Sequence, residues 1–264
     1  MNRMGYACIN MQLSSQKPKI YTGRSMIKRT FKDKGITYAS ELGLQNCKDL
    51  LEIIKWNNEN GFNFFRITSN LFPWCSEYKL SDMPDYNEIC EILSEAGSYA
   101  TTNDIRITSH PGPFNVLTSP HEHVVENCIK DLSTHGEVFD LMNLSRTPYN
   151  KINIHIGGAY GDKVSSMERF CENFHRLPNS VKSRLTVEND DKATMYSVVD
   201  LYEGVYCKIG IPIVFDYHHH RFCTGGLSEE DALEVAISTW GNIVPVVHYS
   251  ESRNIEQEDD KIRP

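Results

Sequence analysis

The sequence predicts an α/β protein whose parallel sheet rolls into a (β/α)8, or TIM, barrel. Three observations point there. Seven short apolar runs alternate with stretches of helical periodicity, the pattern of a parallel sheet with crossover helices. Polar residues able to do chemistry (Asn10, His110, His155, Glu188, Asp216 and His248) fall at or just past the C-terminal ends of these runs. Residues from strands one to seven converge only if the sheet closes, and polar groups at that end of a barrel read as catalytic. Finally, no Gly-x-Gly-x-x-Gly follows the first run, which removes a nucleotide-cofactor reading.

In chain order, Met4 to Asn10 is the first strand. Residues 14 to 40 are rich in Lys, Arg, Ser and Thr and read as a solvated loop or a surface for backbone phosphates. Leu50, Leu51, Ile53, Ile54 and Trp56 give a helical face ending near Gly61. Phe62 to Ser69 is strand two, a helix runs from about Tyr86 to Thr101, and Ile105 to His110 is strand three. Glu122 to Met142 is helical, Lys151 to Ile156 is strand four, and a helix covers roughly Ser166 to Leu177. Arg184 to Glu188 is strand five, with a helix from Tyr196 to Ile209 behind it. Ile211 to Asp216 is strand six. The next helix, Glu229 to Trp240, has Ser228 placed to cap it, and Pro245 to Ser250 is strand seven. The count is one strand short of eight. The expectation is a single barrel domain over residues 1–264, truncated at its C-terminus and lacking its last βα unit.

Composition sets modest bounds. Hydrophobic content of 40% and charge of 23% are ordinary for a globular chain. No apolar run reaches membrane-spanning length and the N-terminus lacks a signal-peptide core. Eight scattered cysteines without a Cys-x-x-Cys pair read as reduced thiols. The expectation is an intracellular protein of cytoplasm or nucleus, away from membranes and acting as a monomer. A net charge of −8 argues weakly against a nucleic-acid partner. Metal ions would cancel acidic charge locally.

The stretch Ile211-Pro-Ile-Val-Phe-Asp216-Tyr-His218-His219-His220-Arg221 leads a buried strand into a carboxylate and three histidines. Carboxylate oxygen and imidazole nitrogen together suit Zn, Mn or Fe. His110, His155, Glu188, Asp216, His219 and His248 make six such ligands, enough for two ions, or three with bridging carboxylates. A metal cluster supplies an activated water and charge relief on a reacting group.

The motifs Gly5-Tyr-Ala-Cys-Ile-Asn10, Arg66-Ile-Thr-Ser-Asn-Leu-Phe-Pro-Trp74, Ser109-His-Pro-Gly-Pro-Phe114, Ile154-His-Ile-Gly-Gly-Ala-Tyr-Gly-Asp-Lys163, Val187-Glu-Asn-Asp-Asp191, Phe215-Asp-Tyr-His-His-His220 and Val247-His-Tyr-Ser-Glu251 occur in order. Together they resemble the ultraviolet damage endonuclease family, DNA-repair nucleases on a TIM barrel in the superfamily of endonuclease IV and xylose isomerase. The resemblance implies nicking of double-stranded DNA immediately 5′ of ultraviolet photoproducts, leaving 3′-hydroxyl and 5′-phosphate ends, with weaker action at abasic sites. It implies Mn as the metal, with Zn or Mg as alternatives. It makes Glu188 a bridge between ions that positions the attacking hydroxide. Asp216 and His219 share one ion, and His110, His155 and His248 complete the others. Glu188, His155 and Asp216 are the catalytic residues of this reading. Glu77 stands where related barrels place a strand-two ligand, though a solvated glutamate explains it as well. His218 and His220 are expected behind the ligands. His121, His123, His135 and His175 are expected to be ordinary helix residues. Tyr6 and Asn10 would contact the flipped lesion and Lys163 a phosphate. The ring of Tyr6 also suits a barrel core, and Lys163 also suits a plain surface.

Three departures stand out. Pro113 replaces the family's Gln, so Pro113 and Phe114 form an apolar wedge without a base-edge hydrogen bond. Val246 replaces a Lys that touches metal in some relatives. The strand-eight acid, and a His just beyond strand seven, are not present. Two further readings therefore stay open: a sugar isomerase of the same superfamily, and a barrel that binds damaged DNA without cutting it.

Overall fold

The computed structural model describes residues 3–250. Its sheet has seven parallel strands in sequence order: β1 (Gly5–Ala7), β2 (Phe64–Ile67), β3 (Arg106–Ser109), β4 (Ile152–Ile154), β5 (Leu185–Glu188), β6 (Ile213–Asp216) and β7 (Val247–His248). Each lies inside the range expected from the sequence and is shorter at its ends. Only the paired core of each apolar run meets its neighbour, as in the register Ile152 to Leu185 and Ile154 to Val187. Every residue of β3, β5 and β6 is buried, as expected where both faces of a parallel sheet are covered.

The helices are α1 (Met11–Ser14), α2 (Lys28–Glu59), α3 (Tyr86–Thr102), α4 (Glu122–Leu141), α5 (Lys163–Phe174), α6 (Asn179–Lys182), α7 (Val198–Leu201), α8 (Cys207–Ile209), α9 (Tyr217–His220) and α10 (Glu229–Ser238). Ser228 caps α10 as expected, its hydroxyl accepting from Asp231 N at 3.1 Å. Two expectations fail. The basic stretch is not all loop: Lys28 to Lys34 form the first turns of α2, which kinks at Gly35. Aromatic packing holds these turns, with Phe31 stacked on Trp74 at 6.2 Å and Lys28 over the Trp74 ring at 5.7 Å. The helix expected from Tyr196 to Ile209 starts later and widens into a π-turn at Tyr202–Tyr206.

The sheet curls without an eighth strand among the described residues, and the order runs from β1 to β7 with no pairing between those two. Expectations about the chain's end, Glu251 included, lie outside the described residues. Along this open side runs a cavity of about 990 Å³, lined from Arg3 and Arg106 at one end to His110, Glu188 and His219 at the other. Apolar side chains of Phe65, Ile107, Ile154, Val187, Ile213 and Phe215 fill the layer between sheet and helices.

Helix packing is close enough to predict a cost. A Cβ on Gly97 in α3 would lie 1.8 Å from the carbonyl oxygen of Met142, at the end of α4. Gly97→Ala is expected to destabilise the fold by about 1–3 kcal/mol through overpacking, read as a lower denaturant midpoint at unchanged slope.

Candidate metal centre

The C-terminal ends of β3 to β7 bring five of the six expected ligands around the sixth, Glu188. The Glu188 side chain is buried at the end of β5. Its Oε2 lies 3.1 Å from His110 Nε2 and 3.0 Å from His248 Nδ1, and its Oε1 lies 3.5 Å from His219 Nδ1. His155, from the end of β4, joins His110 and Glu188 in one cluster of donor atoms within 4.8 Å of one another. Asp216 and His248 join Glu188 in a second. Glu188 is thus common to both groups.

Charge follows geometry. Burial pushes Glu188 upward, but His248, His110 and His155 outweigh it and hold the carboxyl well below its ordinary value. Burial raises Asp216 and lowers His248 to about 4. Burial would lower His155 too, yet its contact with Asp190 and the charges of Glu188, Asp190 and Asp191 raise it to about 9.

Around these groups stand residues that orient them, several of which the sequence reading passed over. Asn153, in the middle of β4, donates its amide to Glu188 Oε2 and accepts from Thr186 Oγ at 2.7 Å. A buried Asn between Ile152 and Ile154 was the available signal. Asp190 Oδ1 lies 3.2 Å from His155 Nδ1. Asn189 clasps the backbone of Asp216, donating to its carbonyl at 3.1 Å and accepting from its N–H at 2.8 Å. Asp216 caps the single turn of α9 by accepting from His219 N at 2.9 Å. His219 Nδ1 then donates to the Asn189 carbonyl at 2.9 Å, which leaves Nε2 as its free lone pair. Lys151, buried beneath, brings Nζ to 3.2 Å from His248 Nε2, and burial lowers its ammonium to about 7.

These positions fit a metal. The Pro111 carbonyl only accepts, so the ring proton of His110 sits on Nδ1, 3.1 Å from it. The Nε2 lone pair of His110 then faces a Glu188 carboxylate oxygen. Two acceptors at that separation need a cation between them, either a proton or a metal ion. The nitrogen and oxygen donor set is that of a divalent transition metal.

Other expected residues lie apart. Glu77 is exposed in a 3-10 turn after β2 and joins neither donor group. His218 and His220 are buried within the single turn of α9, behind the ligands. His135 is buried on α4, and His121 precedes that helix without a side-chain cap bond. Lys163 opens α5 and pairs with Asp200 at 2.9 Å. Tyr6 packs against Phe62 and Phe65 and donates to Asn57 Oδ1 at 2.6 Å. Asn10 is buried, donating to the Tyr6 hydroxyl and capping α1 through Leu13 N. Pro113 and Phe114 stand exposed beyond His110, with Phe114 88% accessible. Val246 lies buried below β7, packed with Val214 and Trp240.

Asp190→Asn is expected to weaken divalent-metal binding by about 10–100-fold, as the loss of an outer partner to a ligating histidine does. Metal titration by calorimetry checks it.

Fold and centre define the class: a (β/α)8-type barrel with a carboxylate-and-histidine centre at the C-terminal ends of its strands. The chain belongs to the UV-endonuclease UvdE family, whose sequence model matches residues 2–263. It is 36% identical over 260 residues to the UV-damage endonuclease of Schizosaccharomyces pombe, covering 95% of this chain and 42% of that protein. It is 33% identical to the UV DNA damage endonuclease of Clostridium perfringens, over 94% of this chain and 58% of that one. The chain therefore spans about half the length of these relatives. The crystal structure of SacUVDE superposes with a TM-score of 0.84 at 33% identity, over 97% of this chain and 82% of that chain. A D-psicose 3-epimerase from Clostridium cellulolyticum shares the fold alone, with a TM-score of 0.53 at 17% identity over 76% of this chain and 67% of that one.

Proposed function

We propose that this chain is a metal-dependent endonuclease that nicks double-stranded DNA immediately 5′ of ultraviolet photoproducts, leaving 3′-hydroxyl and 5′-phosphate ends. The observation that carries the reading is the buried, ionised Glu188 with His110, His219 and His248 around it and Asp216 beside it. His110, His155, Glu188, Asp216, His219 and His248 would hold two or three divalent ions, Mn being the metal this reading favours. When bound, the ions lower the pKa of a water and screen charge on the phosphate.

The chain's own residues do the rest. Asn153 and Thr186 fix Glu188, whose ionised carboxylate would orient an attacking water. Asn189 fixes Asp216 and the tautomer of His219, and Asp190 lies beside the ring of His155 at 3.2 Å. Arg3, Arg66 and Arg106 line the cavity, a field that favours a phosphodiester despite the acidic net charge. Pro113 and Phe114 enter the weakened stack at the lesion as an apolar wedge. Contact of Tyr6 and Asn10 with the extruded bases requires exchanging the Asn57 or Leu13 hydrogen bond for a base edge. Lys163 reaches a phosphate by leaving Asp200. One chain carries the whole donor set, so a monomer suffices. The eight unpaired cysteines suit a reducing compartment.

The test is a labelled duplex carrying one cyclobutane thymine dimer, with Mn²⁺ or with chelator, beside an undamaged duplex. A single Mn²⁺-dependent cut at the 5′ side of the dimer, with ends a polymerase can extend, is expected. Selective binding without a cut would favour a barrel that only binds. Neither would turn the reading toward a small soluble substrate such as a sugar.

A further inference from the structure

Asp131, on α4, holds two loops of the barrel mouth with its two carboxylate oxygens. Oδ1 accepts from the Cys75 thiol at 3.4 Å, in the 3-10 turn Cys75–Glu77 after β2. Oδ2 accepts from Asn115 Nδ2 at 2.8 Å, midway along the loop that follows β3. The buried His135, one turn further along α4, brings Nε2 to 3.8 Å from that same oxygen. Burial and the Asp131 charge push the Cys75 thiol up to about 12, so it remains a donor.

Asn115 is buried, and it closes its own loop. Its side-chain amide donates to the Gly112 carbonyl at 3.1 Å, and its backbone N–H reaches the same oxygen at 3.2 Å. The segment from His110 to Asn115 is thus pinned at one end by a member of the Glu188 cluster and at the other by Asp131. Phe114 stands between the two pins, in solvent. A large apolar ring held out on a braced loop has its ordering cost met before any partner arrives.

We propose that Asp131 and Asn115 are positioning residues for damage recognition: the Asn115 amide, anchored on the Asp131 carboxylate, sets the height and direction at which Phe114 enters the duplex. The proposal rests on the endonuclease reading and deepens it. It makes selectivity for a lesion depend on a helix that touches neither DNA nor the Glu188 cluster. The same carboxylate ties the loop after β2, so the two loops move as one unit against the duplex.

A double-mutant cycle tests it. The readout is the ratio of dissociation constants for an undamaged duplex and the same duplex with one cyclobutane dimer, measured in chelator so that cleavage does not intervene. Asn115→Ala is expected to lower that ratio about ten- to a hundredfold, the scale of losing a hydrogen bond to a carboxylate. Phe114→Ala is expected to lower it similarly, and the double variant no further than Phe114→Ala alone. Asp131→Asn, which keeps shape and loses charge, follows Asn115→Ala. Cys75→Ser still donates and keeps the ratio. Metal content stays at the wild-type value in all of them. Additive losses from Asn115→Ala and Phe114→Ala, or an unchanged ratio in Asn115→Ala and Asp131→Asn, would overturn the proposal while leaving the endonuclease reading intact. A wild-type chain with no preference for the damaged duplex overturns both.

Discussion

Glu188→Gln is expected to reduce damage-directed nicking to the level seen with chelator. Glutamine keeps the shape of the side chain and the two hydrogen-bonding positions that Asn153 and His248 address on Oε2. It removes the one full negative charge common to both donor groups. Its amide nitrogen cannot ligate a hard divalent ion, and it would meet the Nδ1–H of His219 near the position of Oε1. The loss should appear in metal content as well as in rate. A variant that binds the full metal complement yet cannot cut would assign Glu188 to proton transfer alone. A variant that cuts normally would remove Glu188 from the mechanism. The circular dichroism spectrum should be unchanged, because Val187 and Leu185, on the opposite face of β5, carry the packing.

The second large effect is on stability. Arg184, just before β5, has a side chain with no exposed surface. It donates to Asp140 Oδ1 at 2.8 Å and to the carbonyls of Leu144, Ser145, Ser180 and, at longer range, Gly136. One guanidinium therefore ties the end of α4 and the loop beyond it to the start of β5. Arg184→Met fits the space but leaves the carbonyls of Leu144, Ser145 and Ser180 without this donor, while Asp140 keeps its bonds from Arg146. Each buried carbonyl left without a partner costs about 1–3 kcal/mol, so the expected loss is about 3 kcal/mol or more. Chemical denaturation should show that loss, with metal affinity at the Glu188 end of the same strand retained in the folded fraction. A loss under about 1 kcal/mol, the ceiling for surface ion pairs, would contradict it.

Much of this was legible in the sequence because strand ends are marked by two signals at once. An apolar run such as Ile211 to Phe215 identifies a buried strand, and the polar residue that ends it identifies the mouth. That is why His110, His155, Glu188, Asp216, His219 and His248 could be chosen before any coordinates, and why they meet. The orienting residues were less visible. Asn153, Asp190 and Lys151 act through cross-strand neighbours, and no spacing along the chain shows that Asn153 faces Glu188 across the β4–β5 ladder. The basic stretch was misread because Lys28 to Lys34 lack an apolar stripe; Trp74 and Tyr78, far along the chain, provide their packing. Tyr6 shows the converse. Its motif marked either a lesion contact or a core ring, and the structure packs the ring while leaving Tyr6 on the cavity wall, its hydroxyl on Asn57 and Asn10.

The most direct test of the central claim is anomalous scattering from a crystal of this chain grown with Mn²⁺. The expected result is at least two Mn peaks sharing Glu188 as a ligand, one also contacting His110 and His155, the other Asp216 with His219 or His248. Ligand distances should be slightly longer than the about 2.0–2.2 Å of zinc on nitrogen and oxygen. Peaks only at exposed carboxylates, or a Glu188 carboxylate still bonded directly to His110 and His248 with no ion between them, would contradict the account.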